Sequence, residues 1–228
     1  MEPRDVFWST HYTRHNQRRQ EHLATLGLDL TDRTVLEVGA GIGDHTSFFL
    51  DRGCTVMVTE AQEQNLAVLR ARYPDLDVGP LDLNAPPPEA IPVDIVYCYG
   101  TLYHLDHPAA AIRWMAGSAE SMLLLETCVA AAEEDTVFPF EETAGDPDNA
   151  MSGHGCRPTR SWVRRELASC FAHVYMPVTQ PWHEEFPLDW SSPELADRTL
   201  IRSVFIASHQ PIVNPRLVED LPMTQQRC

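Results

Sequence analysis

Short apolar runs separated by polar stretches of helical length recur through the first half of the chain. Val35, Leu36 and Val38 read as a short buried strand interrupted by one acid, Glu37. Cys54 to Thr59 is a β-rich run closing on Glu60, Val93 to Tyr99 is a longer apolar run, and Ser121 to Glu126 is another. Runs of this kind, without alternation, suit strands buried on both faces. Between them, Asp44 to Asp51 and Ala61 to Tyr73 read as helices, the second stopped by Pro74. Asp106 and Pro108 mark a further helix start, with the helix running to about Ala116. Gly79-Pro80 leaves only a short strand before Asp82, and Ala85 to Pro92 is a proline-rich linker. Arg14 to Gly27 reads as a helix ended by its glycine. Thr159 caps one reaching about Phe171, with Val163, Leu167, Cys170 and Phe171 on its apolar face. His173 to Thr179 and Leu200 to Ala207 read as two more strands. The pattern predicts an α/β, doubly wound, mostly parallel sheet.

One stretch carries the chemistry. After Val38 come Gly39, Gly41 and Gly43, a tight turn between strand and helix. Such a turn places backbone N–H groups at the carboxyl edge of a parallel sheet, where open sheets bind small ligands. A dinucleotide fingerprint would need its third glycine where Asp44 stands, and a carboxylate there repels a pyrophosphate. No Lys-Ser or Lys-Thr follows, which excludes a P-loop. Acids recur at the ends of the following strands: Glu60, then Asp82 in Leu81-Asp82-Leu83, then Glu126.

Glu37, the E-x-G-x-G-x-G pattern, Glu60, Asp82 and the Gly100-Thr-Leu-Tyr-His-Leu105 loop stand in an order that resembles the class I S-adenosylmethionine (SAM) methyltransferases. The resemblance covers roughly 31–125 well and the rest loosely. It implies a seven-stranded, mostly parallel sheet with an antiparallel last strand. It also implies SAM as cofactor, with S-adenosylhomocysteine (SAH) as its product. The implied cofactor-binding set is Glu37, Gly39, Ala40, Gly41, Gly43, His45, Thr46, Glu60, Asp82, Leu83 and Tyr99. Within it, Glu60 would accept from both ribose hydroxyls and Asp82 would meet the adenine. Arg18 or Arg19, on the helix before the glycine turn, would meet the cofactor carboxylate, Arg18 being taken into the set; a solvated charged face is the alternative.

Composition narrows the partners. The net charge is −16, and all 17 basic residues are arginine. Such a surface repels phosphate backbones and anionic lipid, so neither nucleic acid nor membrane is expected. No apolar stretch reaches membrane-spanning length and the N-terminus lacks a signal-peptide core, so a cytoplasmic protein is expected. Six scattered cysteines without a C-x-x-C pair suggest neither a disulfide framework nor a zinc site; Cys98 and Cys170 read as buried thiols.

A single domain over 1–208 is expected, with a strap and helix at 1–30, inserts at about 127–157 and 180–198, and a loosely held tail at 209–228. The acid-rich first insert is favoured as a cap over the substrate. Methyl transfer to a hydroxyl needs a base, and His104 is the candidate; a structural histidine bonding nearby backbone is the alternative. Substrate-binding candidates are Trp8, Tyr12, Tyr103, Glu126, His154 and Arg157, each with an ordinary packing or surface role as its alternative. Trp182 and Trp190 are read as core before acceptor pocket. No metal is expected, because catechol-type catalysis needs an Asp/Asn cluster after strands four and five, and Asp94 starts its strand. The leading reading is O-methylation of a small molecule. The alternatives are N- or C-methylation of a small molecule, modification of RNA or protein, and a scaffold without activity. Acceptor and oligomeric state stay open.

Overall fold

The computed structural model describes all residues, 1–228. Two helices open the chain, α1 (Pro3–Phe7) and α2 (Thr10–Thr25). Then β1 (Thr34–Val38), α3 (Thr46–Leu50), β2 (Thr55–Glu60), α4 (Glu63–Arg72), β3 (Asp77–Pro80), β4 (Val93–Tyr99), α5 (Pro108–Ser118) and β5 (Ala119–Cys128) follow. The remainder comprises β6 (Val137–Glu141), β7 (His154–Pro158), α6 (Arg160–Ala168), β8 (His173–Pro177), β9 (Thr179–Gln180), β10 (Arg202–Ser208), β11 (Leu217–Val218) and β12 (Gln226–Arg227).

The main sheet has the order β11-β8-β10-β5-β4-β1-β2-β3. From β3 to β5 all neighbours are parallel, while β10 runs antiparallel to both β5 and β8. These are the seven expected strands, with the seventh in chain order as the antiparallel one. The two-residue β11 adds an eighth at the edge. Successive residues of each strand face opposite layers. Val35 and Ile95 join the apolar cluster around Phe49, Leu66 and Leu69, whereas Leu36 and Val96 join the one around Ile112, Met115 and Val163. Burial on both faces is why the strands read as unbroken apolar runs.

Several expectations are corrected. Helix α2 begins at Thr10 rather than Arg14, because Ser9 caps it by accepting from the Tyr12 N–H at 3.3 Å. Helix α3 spans only five residues, since Gly41 and Gly43, at φ +59° and +80°, hold the preceding segment in turns. The first insert is a β6–β7 hairpin whose connecting loop covers 142–153. The tail is not loose: β11 pairs with β8, β12 pairs with β9, and buried Gln225 donates from Nε2 to the Pro177 carbonyl at 2.6 Å. Cys98 is buried as expected, but Cys170 is partly exposed. No helix is long and apolar enough to cross a membrane.

Candidate active site

The carboxyl ends of β1, β2 and β4 open on one cleft, walled also by α1, α2 and residues Pro147 to Met151 of the 142–153 loop. Gly39 and Gly41 shape its floor. Gly39 stands at φ +65°, and a Cβ there would lie 2.1 Å from the Thr101 hydroxyl oxygen. Gly41 stands at φ +59°, and its Cβ would meet the Phe7 ring at 3.1 Å. Any side chain at either position would crowd the turn.

Glu60 ends β2 against this turn. Its Oε2 accepts from the Gly41 N–H at 2.8 Å, and its Oε1 accepts from Ala61 and Gln62 N–H at 2.9 and 2.8 Å. Burial pushes its carboxyl above the ordinary value, with those N–H bonds opposing. Glu37 is also buried and accepts from the Thr46 hydroxyl at 2.6 Å. Burial raises its pKa to about 7, against that hydrogen bond. His45 shares a 2.5 Å hydrogen bond through Nδ1 with the Tyr97 hydroxyl. Burial, then the charge of Arg19, holds its imidazole well below the usual range, so it is neutral. Asp82 and Leu83 line the cleft where the chain leaves β3.

At the other end of the cleft, His104 Nδ1 lies 2.5 Å from Glu142 Oε2. Glu142 also accepts from the Ala150 N–H at 2.6 Å. Burial raises its carboxyl, but His104, the Ala150 N–H and Arg157 outweigh this and leave it below its ordinary value. Tyr12 reaches the loop from α2, donating to Asp148 Oδ2 at 2.9 Å. Tyr103 accepts from Arg202 Nη2 at 3.0 Å.

The cleft therefore gathers Glu37, Gly39, Ala40, Gly41, His45, Glu60, Asp82, Leu83, Tyr99, Tyr12, Tyr103 and His104. Other candidates fall elsewhere. Arg18 is solvent-facing and paired with Glu21 at 2.6 Å; Arg19 is the arginine that lines the cleft. Gly43 backs onto Leu69 and Tyr73, and Thr46 acts through Glu37. Trp8 is exposed beneath the guanidinium groups of Arg4 and Arg72. Glu126 lies behind the wall, fully buried, taking Arg19 Nη1 at 2.8 Å and Arg202 Nη1 at 3.1 Å. His154 is exposed beside Glu141 at 3.2 Å. Arg157 stacks on Phe140 and Tyr103 and sits 3.7 Å from Glu142. Trp182 is exposed and Trp190 lies under Arg160; neither lines the cleft. The sequence reading missed Asn16, Gln62, Asn65, Asp148 and Arg202 as cleft residues. For Gln62 and Asn65 a signal existed: both follow Glu60 closely, at the start of α4.

Family and structural comparisons agree with this fold. The family model described as a methyltransferase domain matches residues 35–119, from β1 to the start of β5. This part of the chain is a methyltransferase domain, and the fold around it is that of the class I SAM-dependent methyltransferases. No curated protein matches the sequence. Among solved structures, it is similar to the N-terminal domain of EvdMO1 in the presence of SAH and D-fucose, with TM-score 0.64 and 18% identity over 89% of this chain and 85% of that one. It is similar to a SAM-dependent methyltransferase from Mesorhizobium loti, with TM-score 0.58 and 17% identity over 84% and 97%. The glycopeptide N-methyltransferase MtfA complexed with SAM gives TM-score 0.53 and 18% identity over 85% and 86%. At these identities the likenesses speak for the fold.

Proposed function

We propose that this methyltransferase transfers the methyl group of SAM to a hydroxyl of a small polar acceptor, with His104 as general base. The residues present fit the cofactor. In the cleft wall, the Tyr99 hydroxyl, Asn65 Oδ1 and His45 Nε2 are buried without a protein partner. Buried polar atoms of that kind call for a polar ligand. Glu60 would hold the ribose and Asp82 the adenine, with Arg19 in place of Arg18 available for the carboxylate. SAM supplies a methyl group on a sulfonium that leaves as a neutral thioether.

The observation that carries the base assignment is the His104–Glu142 contact. With Nδ1–H donated to Glu142, the free lone pair sits on Nε2, ready to accept a proton from the acceptor hydroxyl. Glu142 is a positioning residue: it fixes the tautomer and stabilises the imidazolium that forms. The EvdMO1 domain studied with D-fucose supports a hydroxyl-bearing acceptor by analogy. Glu126, the acid that could have met an acceptor amine, is already matched by two guanidinium groups.

The test uses methyl-labelled SAM and a panel of monosaccharides and other polyols. For His104→Ala, turnover is expected to fall by about 10²–10⁴-fold while SAM affinity by calorimetry is kept. Unchanged turnover removes the base. For Glu60→Ala, SAM binding is expected to weaken severalfold; an unaltered dissociation constant would mean that the ribose lies elsewhere.

A further inference from the structure

A second cluster of chemistry-bearing side chains lies beside the cofactor cradle. His11 and His15 stand four residues apart on α2, a spacing that sets two imidazoles on one helix face. His183 and Glu185 come from the far-removed second insert and pack against that face. The His15 and His183 ring centres are 4.8 Å apart. His15, His183 and Glu185 are all buried, and each offers a ligand atom within 4.8 Å of the other two. His15 Nε2 is 3.6 Å from Glu185 Oε2, too far for a hydrogen bond. Two donors about 2.0–2.1 Å from one tetrahedral ion lie at about 3.4 Å from each other, close to that separation. Neither His15 Nε2 nor His183 Nε2 has a hydrogen-bond partner, though both residues are only 2% exposed. Methyl transfer at His104 makes no use of them.

We propose that His15, His183 and Glu185 bind one divalent transition-metal ion of the zinc class. Two imidazoles and one carboxylate suit such an ion and not magnesium, which takes a nearly all-oxygen shell. The sequence expectation of no metal looked for an Asp/Asn cluster at the sheet edge; this donor set is of another kind and in another place. Arg202 is the group that opposes binding, since its Nε donates to Glu185 Oε2 at 2.6 Å. Arg19 and Arg202 are already balanced by Glu126 and Glu185, all four being buried. The ion therefore draws on the two imidazoles and the remaining lone pairs of Glu185. His11 Nε2 lies 3.2 Å from Glu185 Oε1 on a more exposed ring and is not required. An overlapping, more exposed set of His11, His183 and Glu184 is the rival arrangement. The ion would tie α2 to the second insert next to the cleft wall that His15 and Arg202 line.

The test is calorimetric titration of the full chain, stripped with chelator and dialysed, with zinc chloride alone. One ion per chain is expected. In His15→Ala and His183→Ala, the affinity should fall at least about 100-fold, whereas His11→Ala should keep it. Undiminished binding in the first two, or loss with His11→Ala and retention with His15→Ala, overturns the proposal. Circular dichroism checks that each variant folds. If either buried variant does not fold, cobalt(II) added to the wild-type chain decides. Intense visible bands of a four- or five-coordinate ion are expected, and the weak spectrum of the aqua ion alone overturns the assignment.

Discussion

Glu37 shows how burying one acid in the cleft costs stability as pH rises. Its ordinary pKa of 4.5 is moved to about 7, first by burial, with Asp44 adding to the shift while Thr46 and Arg72 oppose it. Between those two values the folded chain binds a proton that the unfolded chain has released. Stability from this group is therefore full below pH 4.5 and is lost as pH rises through about 7. The loss amounts to about 3 kcal/mol at pH 8. Glu37→Gln keeps an acceptor for the Thr46 hydroxyl and removes the charge. Urea unfolding should find this variant more stable than the parent at pH 8 by up to that amount, with the difference nearly gone at pH 4. A difference independent of pH would show that Glu37 does not titrate in this way. At the same scale, the helix phase of 14–27 puts Arg18 and Arg19 side by side in sequence, so the pattern alone could not choose between them. Packing chose: Arg19 points inward to Glu126, and Arg18 points outward to Glu21.

Among the elements, the 142–153 loop is the one on which the proposed chemistry depends most, since it brings Glu142 to His104. It is held by a few side chains of α4 and its cap. Gln62 Nε2 donates to the carbonyls of Asp146, Pro147 and Asn149 at 3.2, 3.2 and 2.9 Å, and Asn65 Nδ2 donates to Pro147 at 2.8 Å. These bonds satisfy carbonyls that no strand pairs. Gln62→Ala should raise amide hydrogen exchange across 143–151 and leave β1, β4 and β5 protected. Exchange in the loop equal to that of the parent would mean that the β6–β7 hairpin alone holds it. The long connection at 127–157 was legible as unusual because compact domains seldom contain one. Its hairpin was not, because β6 is mostly exposed and lacks the alternation that marks a half-buried strand.

Over the whole molecule, the net charge of −16 stays on the surface. The four buried arginines, Arg19, Arg157, Arg160 and Arg202, are offset by four buried glutamates, Glu37, Glu60, Glu126 and Glu185, so burial leaves the balance unchanged. A field of this sign repels polyanions at long range. The chain is predicted to pass unretained through a heparin column at low salt. Retention that disappears with rising salt would favour a nucleic-acid substrate over a small molecule.

The order of glycines and acids from Glu37 to Asp82 lies within one strand-turn-helix unit and its neighbours, where each residue's place follows from local geometry. For that reason the sequence by itself determined the α/β sheet, the cleft at its carboxyl edge and the glycines and acids of its floor. His104 was legible for the same reason, as it closely follows β4. What pairs with what across long stretches of chain was decided only by the tertiary structure. Glu126 was read as the end of its strand, but β5 runs two residues further, and two arginines from α2 and β10 neutralise it behind the cleft wall. Glu142 reaches His104, and His183 and Glu185 reach α2, only because insert and helix fold back on the sheet. Such encounters depend on which faces pack together, and packing is a property of the whole chain.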